Sequence, residues 1–395
     1  MAVVGLGTMG AGIAEVFAAA GHQVQGIEYD QDAVTRGRSI LSDSTARAVD
    51  KGKLSSTERD ALLGRITFGT ELAAVSDCSV IVEAVSEDLQ LKQAIFASID
   101  TLAPADALVA TNTSSLSITE IATSTQRADR VIGVHFFNPA PVQRLVEVIS
   151  TVMTDPAVVD QARALLTGVG KSPVRCGDRA GFIVNYLLVG YLNRAVRLYG
   201  DNFASAEELD TIMVQQAGYP MGPLALLDLI GLDVTLAVVA RLWDESRSGA
   251  HAPAPLLRQL VAAGRLGRKS GSGFYTGAEP VRPHGGGRVA SRAGELPGAL
   301  VAPYLNDAVR MVEVGYATAA DIDTGISLGC RMPKPFDVLA ELGPAAVLEQ
   351  QRAIFAETAE PLHRPSLLLE RLAASPGLFA ELRDGSGNES FRRTH

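Results

Sequence analysis

Short apolar runs alternate with longer amphipathic segments over roughly the first 150 residues of the chain. The apolar runs predict strands, and the amphipathic segments predict helices. We predict helices over residues 8–20 and 32–51 and in LKQAIFASIDTLA, and strands in MAVVGLG, VQGIEYD, CSVIVEAVSED, ALVATNTSS and RVIGVHFFNP. This alternation is typical of parallel βαβ units, so the predicted fold class is α/β with a doubly wound, Rossmann-type sheet.

Long apolar helices replace this alternation from about Asp178 onward. GFIVNYLLVGYLNRAVRLYG and LALLDLIGLDVTLAVVARLW contain few strand signals and predict an all-α C-terminal domain. The predicted organisation is a Rossmann-type domain (1–178), a first helical domain (179–277), a linker (278–297), a degenerate second helical domain (298–383) and a tail (384–395).

An internal repeat is the reason for predicting two helical domains. The triplet Tyr-Leu-Asn at 191–193 recurs at 304–306, and Asp210, Pro220 and Gly231 recur as Asp323, Pro333 and Gly343. Two copies are too few for a solenoid, so we interpret the repeat as duplication of one helical domain.

The bulk composition narrows the class of protein. The 395 residues include 47% apolar and 20% charged residues, which is ordinary for a globular protein. A formal net charge of −9 argues against general nucleic-acid binding. No run approaches the roughly 20 apolar residues of a membrane-spanning helix, so we expect no membrane partner. The three cysteines are far apart, which favours a reducing, cytoplasmic location and no metal site.

GLGTMG, residues 5–10, follows a predicted strand and opens a predicted helix. Glycines there allow a tight turn and a close approach of the backbone to a pyrophosphate at the helix N-terminus. An acidic residue, Glu28, follows 18 positions after Gly10 and can accept hydrogen bonds from a ribose; Asp30 is an alternative. A carboxylate at this point repels a 2′-phosphate, so NAD is favoured over NADP. The alternative is a simple glycine turn with a surface glutamate.

The segment HFFNPAPVQRLVEV, residues 135–148, predicts two strands joined by a proline-containing loop. This arrangement brings His135 and Glu147 together. A carboxylate fixes the tautomer of an imidazole and stabilises its protonated form, so the pair is a device for proton transfer. Taken alone, His135 is better explained as a structural histidine, and it gains weight from its place after a strand in the same half of the chain as the glycine loop.

Three further sets of polar residues have a functional and a structural interpretation. Ser114 and Ser115 follow a strand and are candidates to bind a substrate hydroxyl or to cap a helix. Glu87 and Lys92 are candidates for ligand contacts or for surface charges at a helix start. Asn185 lies in an apolar helix and is a candidate for a ligand contact or for an interhelical hydrogen bond.

Together these motifs resemble the L-3-hydroxyacyl-CoA dehydrogenase family from residue 1 to about 277. The resemblance rests on GLGTMGAGIAEVFAAAGH, VEAVSEDLQLKQAIFASID, TNTSSLSIT, HFFNPAPVQRLVEV, DRAGFIVNYLL, AGYPMGPLALLDLIGLD and GRKSGSGFY, in that order. It implies reversible NAD-dependent oxidation of 3-hydroxyacyl-CoA to 3-ketoacyl-CoA in fatty acid or short-chain acyl-CoA metabolism. The repeat after residue 297 resembles that of longer bacterial members often called 3-hydroxybutyryl-CoA dehydrogenases.

The resemblance also implies residue roles. His135 matches the catalytic base, Glu147 the carboxylate that orients it, and Ser114 and Asn185 the residues that bind the substrate oxygen. Ser44 and Lys51 match positions that contact coenzyme A. The expected NAD contacts are Gly5, Gly7, Thr8, Met9, Gly10, Glu28, Glu87, Lys92 and Asn138.

The chain departs from the family pattern in two ways. Glu28 stands where aspartate is commoner, and the second helical copy lacks a counterpart of Asn185, so we expect no second active site. Two alternative functions remain: an NAD-dependent dehydrogenase of a small free hydroxy acid, and a non-catalytic NAD(H)-binding protein. Members of the family usually dimerise through the helical domain, so we expect either a homo-oligomer through this domain or pairing of the two copies within one chain.

Overall fold

The computed structural model describes residues 1–277, 279–280 and 293–384. The chain forms two compact units, Met1–Arg179 and a second that begins at Ala180. The strands of the first unit are β1 (Ala2–Val4), β2 (Val24–Ile27), β3 (Ile66–Gly69), β4 (Val80–Glu83), β5 (Leu108–Thr111), β6 (Val131–Phe136), β7 (Leu145–Ser150) and β8 (Ser172–Gly177). Its helices are α1 (Thr8–Ala19), α2 (Gln31–Asp50), α3 (Ser56–Leu63), α4 (Leu89–Leu102), α5 (Ile118–Ala122) and α6 (Pro156–Gly168), with 3-10 turns at Leu72–Asp77 and Ala128–Arg130.

The eight strands form one sheet in the order β3-β2-β1-β4-β5-β6-β7-β8. All neighbouring strands are parallel except β6 and β7, which form the predicted antiparallel pair. The order reverses between β2 and β4 around β1, and in open α/β sheets ligands bind at the carboxyl ends of the strands at such a point. The predicted α/β, Rossmann-type fold class is therefore confirmed.

Five elements of the first unit are absent from the sequence-based prediction: α3, β3, α5, α6 and β8. Their signals were available in part, since Ser55 and Glu58 form a capping box at the start of α3. Pro156 likewise is the first helical residue of α6 and directly follows the N-cap Asp155. The strand ITFG is short and half-polar because β3 is at the edge of the sheet, so it lacks the apolar run of the inner strands.

The second unit is helical. Its first half contains α7 (Val184–Gly200), α8 (Ala206–Gln215), α9 (Pro223–Ile230), α10 (Leu232–Ser246), α11 (Pro255–Ala262) and the short strands β9 (Tyr275–Thr276) and β10 (Glu279–Pro280). Its second half contains α12 (Leu296–Glu313), α13 (Ala319–Cys330), α14 (Pro335–Leu342), α15 (Pro344–Thr358), α16 (Leu367–Ala374) and α17 (Pro376–Asp384). Its 3-10 turns are Gly249–His251, Arg268–Ser270, Ala293–Glu295 and Pro361–His363.

The predicted linker and tail lie mostly outside the described residues. Where the structure does describe them, β10 falls within the predicted linker, and α12 begins at Leu296, one residue before the predicted end of the linker at 297. Residue 384, the first of the predicted tail, is the last residue of α17.

The two halves of the helical unit share a recurring set of contacts. Asn193 on α7 donates to the carbonyl of Ala252 at 3.0 Å and accepts from the N–H of Ala254 at 2.9 Å. Asn306 on α12 accepts from the N–H of Ser366 at 2.8 Å in the same way. Both asparagines are buried, so each needs these partners. The recurrence supports the predicted duplication, which stays a prediction.

Helices α7 and α12 bring the two halves into contact. The rings of Tyr191 and Tyr304 meet edge to face, with centroids 6.0 Å apart. Arg194 on α7 donates from Nη1 to Nε2 of His363 at 2.9 Å. Burial, with the positive charge of Arg194, lowers the pKa of His363 to about 3, so its imidazole is neutral and able to accept. The first half is thus paired with the second half of the same chain.

One feature of the helical unit bears on membrane insertion. Within residues 1–277, 279–280 and 293–384, no single helix combines the length and apolar character of a membrane span. Helices α9 and α10 reach that hydropathy only as a pair, and they are bent by 100° at their junction.

Candidate active site

His135 and Glu147 face each other across the antiparallel strands β6 and β7, where they are register partners. His135 Nδ1 lies 2.7 Å from Glu147 Oε2. Glu147 is fully buried and His135 nearly so, at 0% and 7% exposed. A carboxylate only accepts, so Nδ1 is the donor, and in the neutral form of the imidazole Nε2 has the lone pair. The predicted association of these two residues is confirmed, and its geometry suits a general base.

Ser114 is exposed on the loop that follows β5, and Glu87 holds this loop. Glu87 Oε1 accepts from the Ser114 N–H at 2.7 Å, the Thr113 hydroxyl at 2.8 Å and the Ser114 hydroxyl at 3.1 Å. Burial alone would raise the pKa of Glu87, but these bonds and the charge of Lys92 outweigh it and lower the pKa below its usual value. Glu87 is therefore an ionised acceptor that fixes the position of Ser114.

Lys92 on α4 is fully buried, so it is not the surface charge considered as an alternative. Its Nζ lies 2.7 Å from Glu83 Oε1 and 3.5 Å from Glu87 Oε2. Glu83, at the end of β4, also accepts from the Thr111 hydroxyl at 2.7 Å. Sequence reasoning missed Glu83, although an ionisable residue inside the apolar run CSVIVEAV was a usable signal.

The glycine loop between β1 and α1 has the backbone geometry that its spacing predicts. Gly5 adopts φ +90°, a region that favours glycine. A Cβ on Gly7 would meet nothing within 4 Å, whereas a Cβ on Gly10 would overlap the Gly5 carbonyl oxygen. Gly7 is thus the point of backbone open to a ligand, next to Thr8 and Met9 in the first turn of α1.

Glu28 lies just beyond β2 and accepts from the backbone N–H groups of Leu6 and Tyr29. A cavity of about 470 Å³ opens between this carboxylate and the glycine loop. Its lining includes Gly5, Gly7, Glu28, Val85, Leu91 and Ile95. Cavities of this size and largely apolar lining are typical of small-molecule sites. One carboxylate, apolar walls and an open glycine fit the adenosine and pyrophosphate of a dinucleotide.

Asn138 is exposed in the loop that connects β6 to β7. A second residue missed from the sequence, Asn112, connects the ends of β5 and β6: its side-chain oxygen accepts from the Phe136 N–H at 2.9 Å. This bond joins the Ser114 loop to the strand that carries His135. The glycine loop, Glu87 and Ser114 follow β1, β4 and β5, and His135 lies near the carboxyl end of the parallel strand β6. All four therefore lie along the carboxyl edge of the sheet.

Ser44 lies on α2, and Lys51 directly follows this helix. Neither residue belongs to the segments that follow β1, β4, β5 and β6. Ser44 is half-buried and lies near Glu15. Burial raises the pKa of Glu15, whereas Ser44, Arg47 and Lys171 act against that rise. Lys51 is exposed at the C-terminus of α2. Their spacing of seven places both residues near one face of the helix.

Asn185 belongs to the second unit, where it is half-buried in the first turn of α7. The preceding residues, Gly181 and Phe182, both have positive φ, so the chain turns sharply before the helix. The role of Asn185 in binding the substrate oxygen stays a prediction.

No group of three or more His, Cys, Asp or Glu side chains that could hold a metal is found in the described ranges. Of the cysteines, Cys78 and Cys176 are buried and Cys330 is half-buried.

Comparisons with known proteins agree with this geometry. The family model described as "3-hydroxyacyl-CoA dehydrogenase, NAD binding domain" matches residues 1–179. The model described as "3-hydroxyacyl-CoA dehydrogenase, C-terminal domain" matches residues 181–277 and 298–384.

The relatives below differ in how much of this chain they cover: two cover 69% of it, and one covers 94%. The chain is 45% identical over 276 residues to the 3-hydroxybutyryl-CoA dehydrogenase of Mycobacterium tuberculosis, covering 69% of this chain and 96% of that protein. It is 43% identical over 282 residues to the human mitochondrial hydroxyacyl-coenzyme A dehydrogenase, covering 69% and 89%. The crystal structure of 3-hydroxybutyryl-CoA dehydrogenase from Escherichia coli K12 covers 94% of this chain and 98% of that chain, with a TM-score of 0.87 and 32% identity. Because the two family models together match most of its length, this chain belongs to the NAD-dependent 3-hydroxyacyl-CoA dehydrogenase family.

Proposed function

We propose that the chain catalyses the reversible oxidation of (S)-3-hydroxybutyryl-CoA to acetoacetyl-CoA in fatty acid or short-chain acyl-CoA metabolism. The observation that carries the proposal is the His135–Glu147 contact of 2.7 Å at the sheet edge where the glycine loop also ends. The short-chain substrate is proposed because relatives from Mycobacterium tuberculosis and Clostridioides difficile bear that name.

His135 is the proposed base. In the oxidation, Nε2 accepts the proton of the C3 hydroxyl as hydride leaves C3, and Glu147 stabilises the imidazolium that forms. Because Glu147 is fully buried, its charge acts on the imidazole with little screening by water. In the reduction, the same imidazolium returns the proton to the ketone oxygen.

Ser114 and Asn185 are the proposed contacts of the substrate oxygen. The C3 hydroxyl has one proton, which goes to His135 Nε2, so Ser114 would contact the substrate oxygen as a donor. Glu87 Oε1, 3.1 Å from the Ser114 hydroxyl, keeps the Ser114 N–H and the Thr113 hydroxyl as donors when that hydroxyl turns to the substrate. Asn185 would add an amide donor for the ketone form.

The residues around the glycine loop fit NAD. When bound, NAD supplies the hydride acceptor for C3. Gly5, Gly7, Thr8, Met9 and Gly10 would hold the pyrophosphate by backbone contacts at the start of α1. The remaining proposed contacts are Glu28 with the adenosine ribose, and Glu87, Lys92 and Asn138 nearer the nicotinamide.

Ser44 and Lys51 are proposed to contact coenzyme A. Lys51 is exposed, and a lysine meets a phosphate as a point charge. Ser44 is one polar group on the same helix able to donate to a phosphate oxygen.

A steady-state series tests the proposal. We expect NADH-dependent reduction of 3-ketoacyl-CoA substrates from C4 to C16, with the highest kcat/KM at C4 and much weaker activity with NADPH, because the Glu28 carboxylate repels a 2′-phosphate. The rate of NADH consumption is the measurement. The NADPH reactions on the same substrates are the matched control.

Other outcomes of this series identify the alternatives. A maximum at C12 or above contradicts the short-chain substrate. Turnover of free 3-hydroxybutyrate but not of its CoA ester favours a hydroxy-acid dehydrogenase. Tight NADH binding without turnover of any CoA substrate favours a non-catalytic protein.

We also propose that the second helical copy takes the place of a dimer partner. Helices α7 and α12 pack on each other. Arg194 on α7 also bonds to His363 in the 3-10 turn Pro361–His363 of the second half. In the repeat, Asp307 stands where Arg194 stands in the first copy, so pairing of unlike copies places opposite charges together, and Asp307 stabilises the charge of Arg194.

The expected result is that the chain sediments as a single species of 41.5 kDa over a wide concentration range. Analytical ultracentrifugation measures this. A species of twice that mass contradicts the proposal. Three statements stay predictions from the sequence: no nucleic-acid binding, from the net charge; no membrane partner, from the lack of a long apolar run; and a cytoplasmic location, from the cysteine usage.

A further inference from the structure

Glu83 is a fully buried carboxylate to which the proposed mechanism gives no role. Its Oε1 accepts from the Val85 N–H and from Lys92 Nζ, both at 2.7 Å, and its Oε2 accepts from the Thr111 hydroxyl at 2.7 Å. A buried charge is costly unless it is paired and hydrogen-bonded, and these three contacts meet that need. All three partners stand at the carboxyl ends of β4 and β5 or at the start of α4, beside the site.

Lys92 is shared unequally between two carboxylates. Its Nζ is 2.7 Å from Glu83 but 3.5 Å from Glu87, and it also donates to the Val85 carbonyl at 3.3 Å. Glu83 is therefore the main partner of the buried ammonium. Glu87 has a longer contact to Lys92 through Oε2. Its Oε1 accepts hydrogen bonds from Thr113 and Ser114.

The same carboxylate also fixes the backbone beneath the glycine loop. A Cβ on Gly5 would lie 2.8 Å from the Val85 nitrogen, so the two segments are in close contact. The Val85 N–H is the one held by Glu83. Glu83 thus supports the loop proposed to bind the cofactor through Val85. It also supports the loop that carries Ser114, indirectly, through Lys92 and Glu87.

We propose that Glu83 is a positioning residue for the dehydrogenase reaction, acting through Lys92 and Glu87 on Ser114. This inference rests on the proposed function. Without the Glu83 charge, Lys92 has Glu87 as its remaining carboxylate partner among the residues described around it. The ammonium then draws Glu87 away from Thr113 and Ser114, and the substrate oxygen loses its fixed contact.

The position of Glu83 determines which kinetic constant changes. The Ser114 contact is proposed to act on the reacting oxygen, whereas Ser44 and Lys51 are proposed to hold the coenzyme A portion. Loss of Glu83 should therefore lower kcat much more than it raises KM for acetoacetyl-CoA. A purely structural role would lower the amount of folded enzyme and leave kcat per folded molecule and KM unchanged.

The test compares Glu83→Gln, Glu83→Asp, Lys92→Met and the double variant Glu83→Gln/Lys92→Met in the full chain. We expect Glu83→Gln to lower kcat about 10- to 100-fold, as is typical when the partner that orients a functional side chain is lost. Glu83→Asp keeps the charge and should recover part of this loss. The double variant should lose no more kcat than Lys92→Met alone, because Glu83 acts through Lys92.

Asp100→Asn is the matched control. Asp100 lies on the same helix α4 and forms an ion pair of the same length, 2.7 Å, with Arg127, but at the end of the helix remote from Lys92. It should change thermal unfolding without changing kcat. The double variant removes both buried charges together, so it keeps the test available if Glu83→Gln alone does not fold.

Two results would overturn the inference in an active wild-type enzyme: wild-type kcat in folded Glu83→Gln, or a double variant whose loss is the product of the two single losses. An inactive wild-type enzyme would instead contradict the proposed function itself, so the two failures are distinct.

Discussion

Replacement of His135 by glutamine is expected to lower kcat for acetoacetyl-CoA reduction about 10²- to 10⁴-fold, the usual contribution of a positioned acid or base. Glutamine keeps an N–H donor for Glu147 and a similar length, but its amide neither accepts nor holds a proton at neutral pH. The affinity for NADH and the unfolding temperature should change little, because the buried carboxylate can keep a donor. Steady-state rates, NADH titration and thermal unfolding are the measurements.

The control for this variant is His22→Gln. His22 is exposed after α1, beyond the end of that helix remote from the glycine loop, and its ring contacts only Phe17 among the described aromatic pairs. It should retain wild-type kcat. If His135→Gln also turned over at nearly the wild-type rate, the assigned base would be wrong.

Alanine at Gly10 is expected to destabilise the first unit by about 3 kcal/mol, at the upper end of overpacking effects. Its Cβ would overlap the Gly5 carbonyl oxygen, and Gly5 has little freedom to move because it is held against Ala84 and Val85. The glycine loop must then open, so NADH affinity should fall as well. Chemical denaturation and NADH titration measure the two losses.

The Gly7→Ala variant is expected to lower the affinity for NADH while leaving the stability of the fold nearly unchanged. Its Cβ meets nothing within 4 Å, and its φ of −61° suits any residue, so stability should change by less than about 0.5 kcal/mol. The same methyl group occupies the space proposed for the pyrophosphate, and we expect NADH affinity to fall about tenfold or more, a loss of about 1.4 kcal/mol.

Gly168→Ala is the control for both glycine variants. Gly168 ends α6, and a Cβ there has open space around it. Stability and NADH affinity should both be retained. Tight NADH binding by Gly7→Ala would contradict the assignment of the loop to the cofactor.

Sequence patterns predicted those parts of the site whose residues interact over short distances along the chain. The glycine spacing predicted the turn between β1 and α1, because Gly5 and Gly10 meet within one loop and one helical turn. The apolar runs around the proline-containing loop predicted the His135–Glu147 pair, because one antiparallel connection brings them into register. The edge strand β3 was missed because its solvent-facing residues interrupt the apolar pattern.

The sequence by itself therefore determined the fold class, the glycine loop and the His–Glu pair, since each depends on local geometry or on one short connection. Only the tertiary structure decided that Glu83, Lys92, Glu87 and Ser114 form one continuous set of contacts, because they meet through the neighbouring positions of β4 and β5 in the sheet. Tertiary structure likewise decided that Arg194 pairs with His363, 169 residues away. Any buried charge needs a partner, because an unpaired charge is costly to remove from water. Which partner it meets is decided by the order of the strands and the packing of the helices.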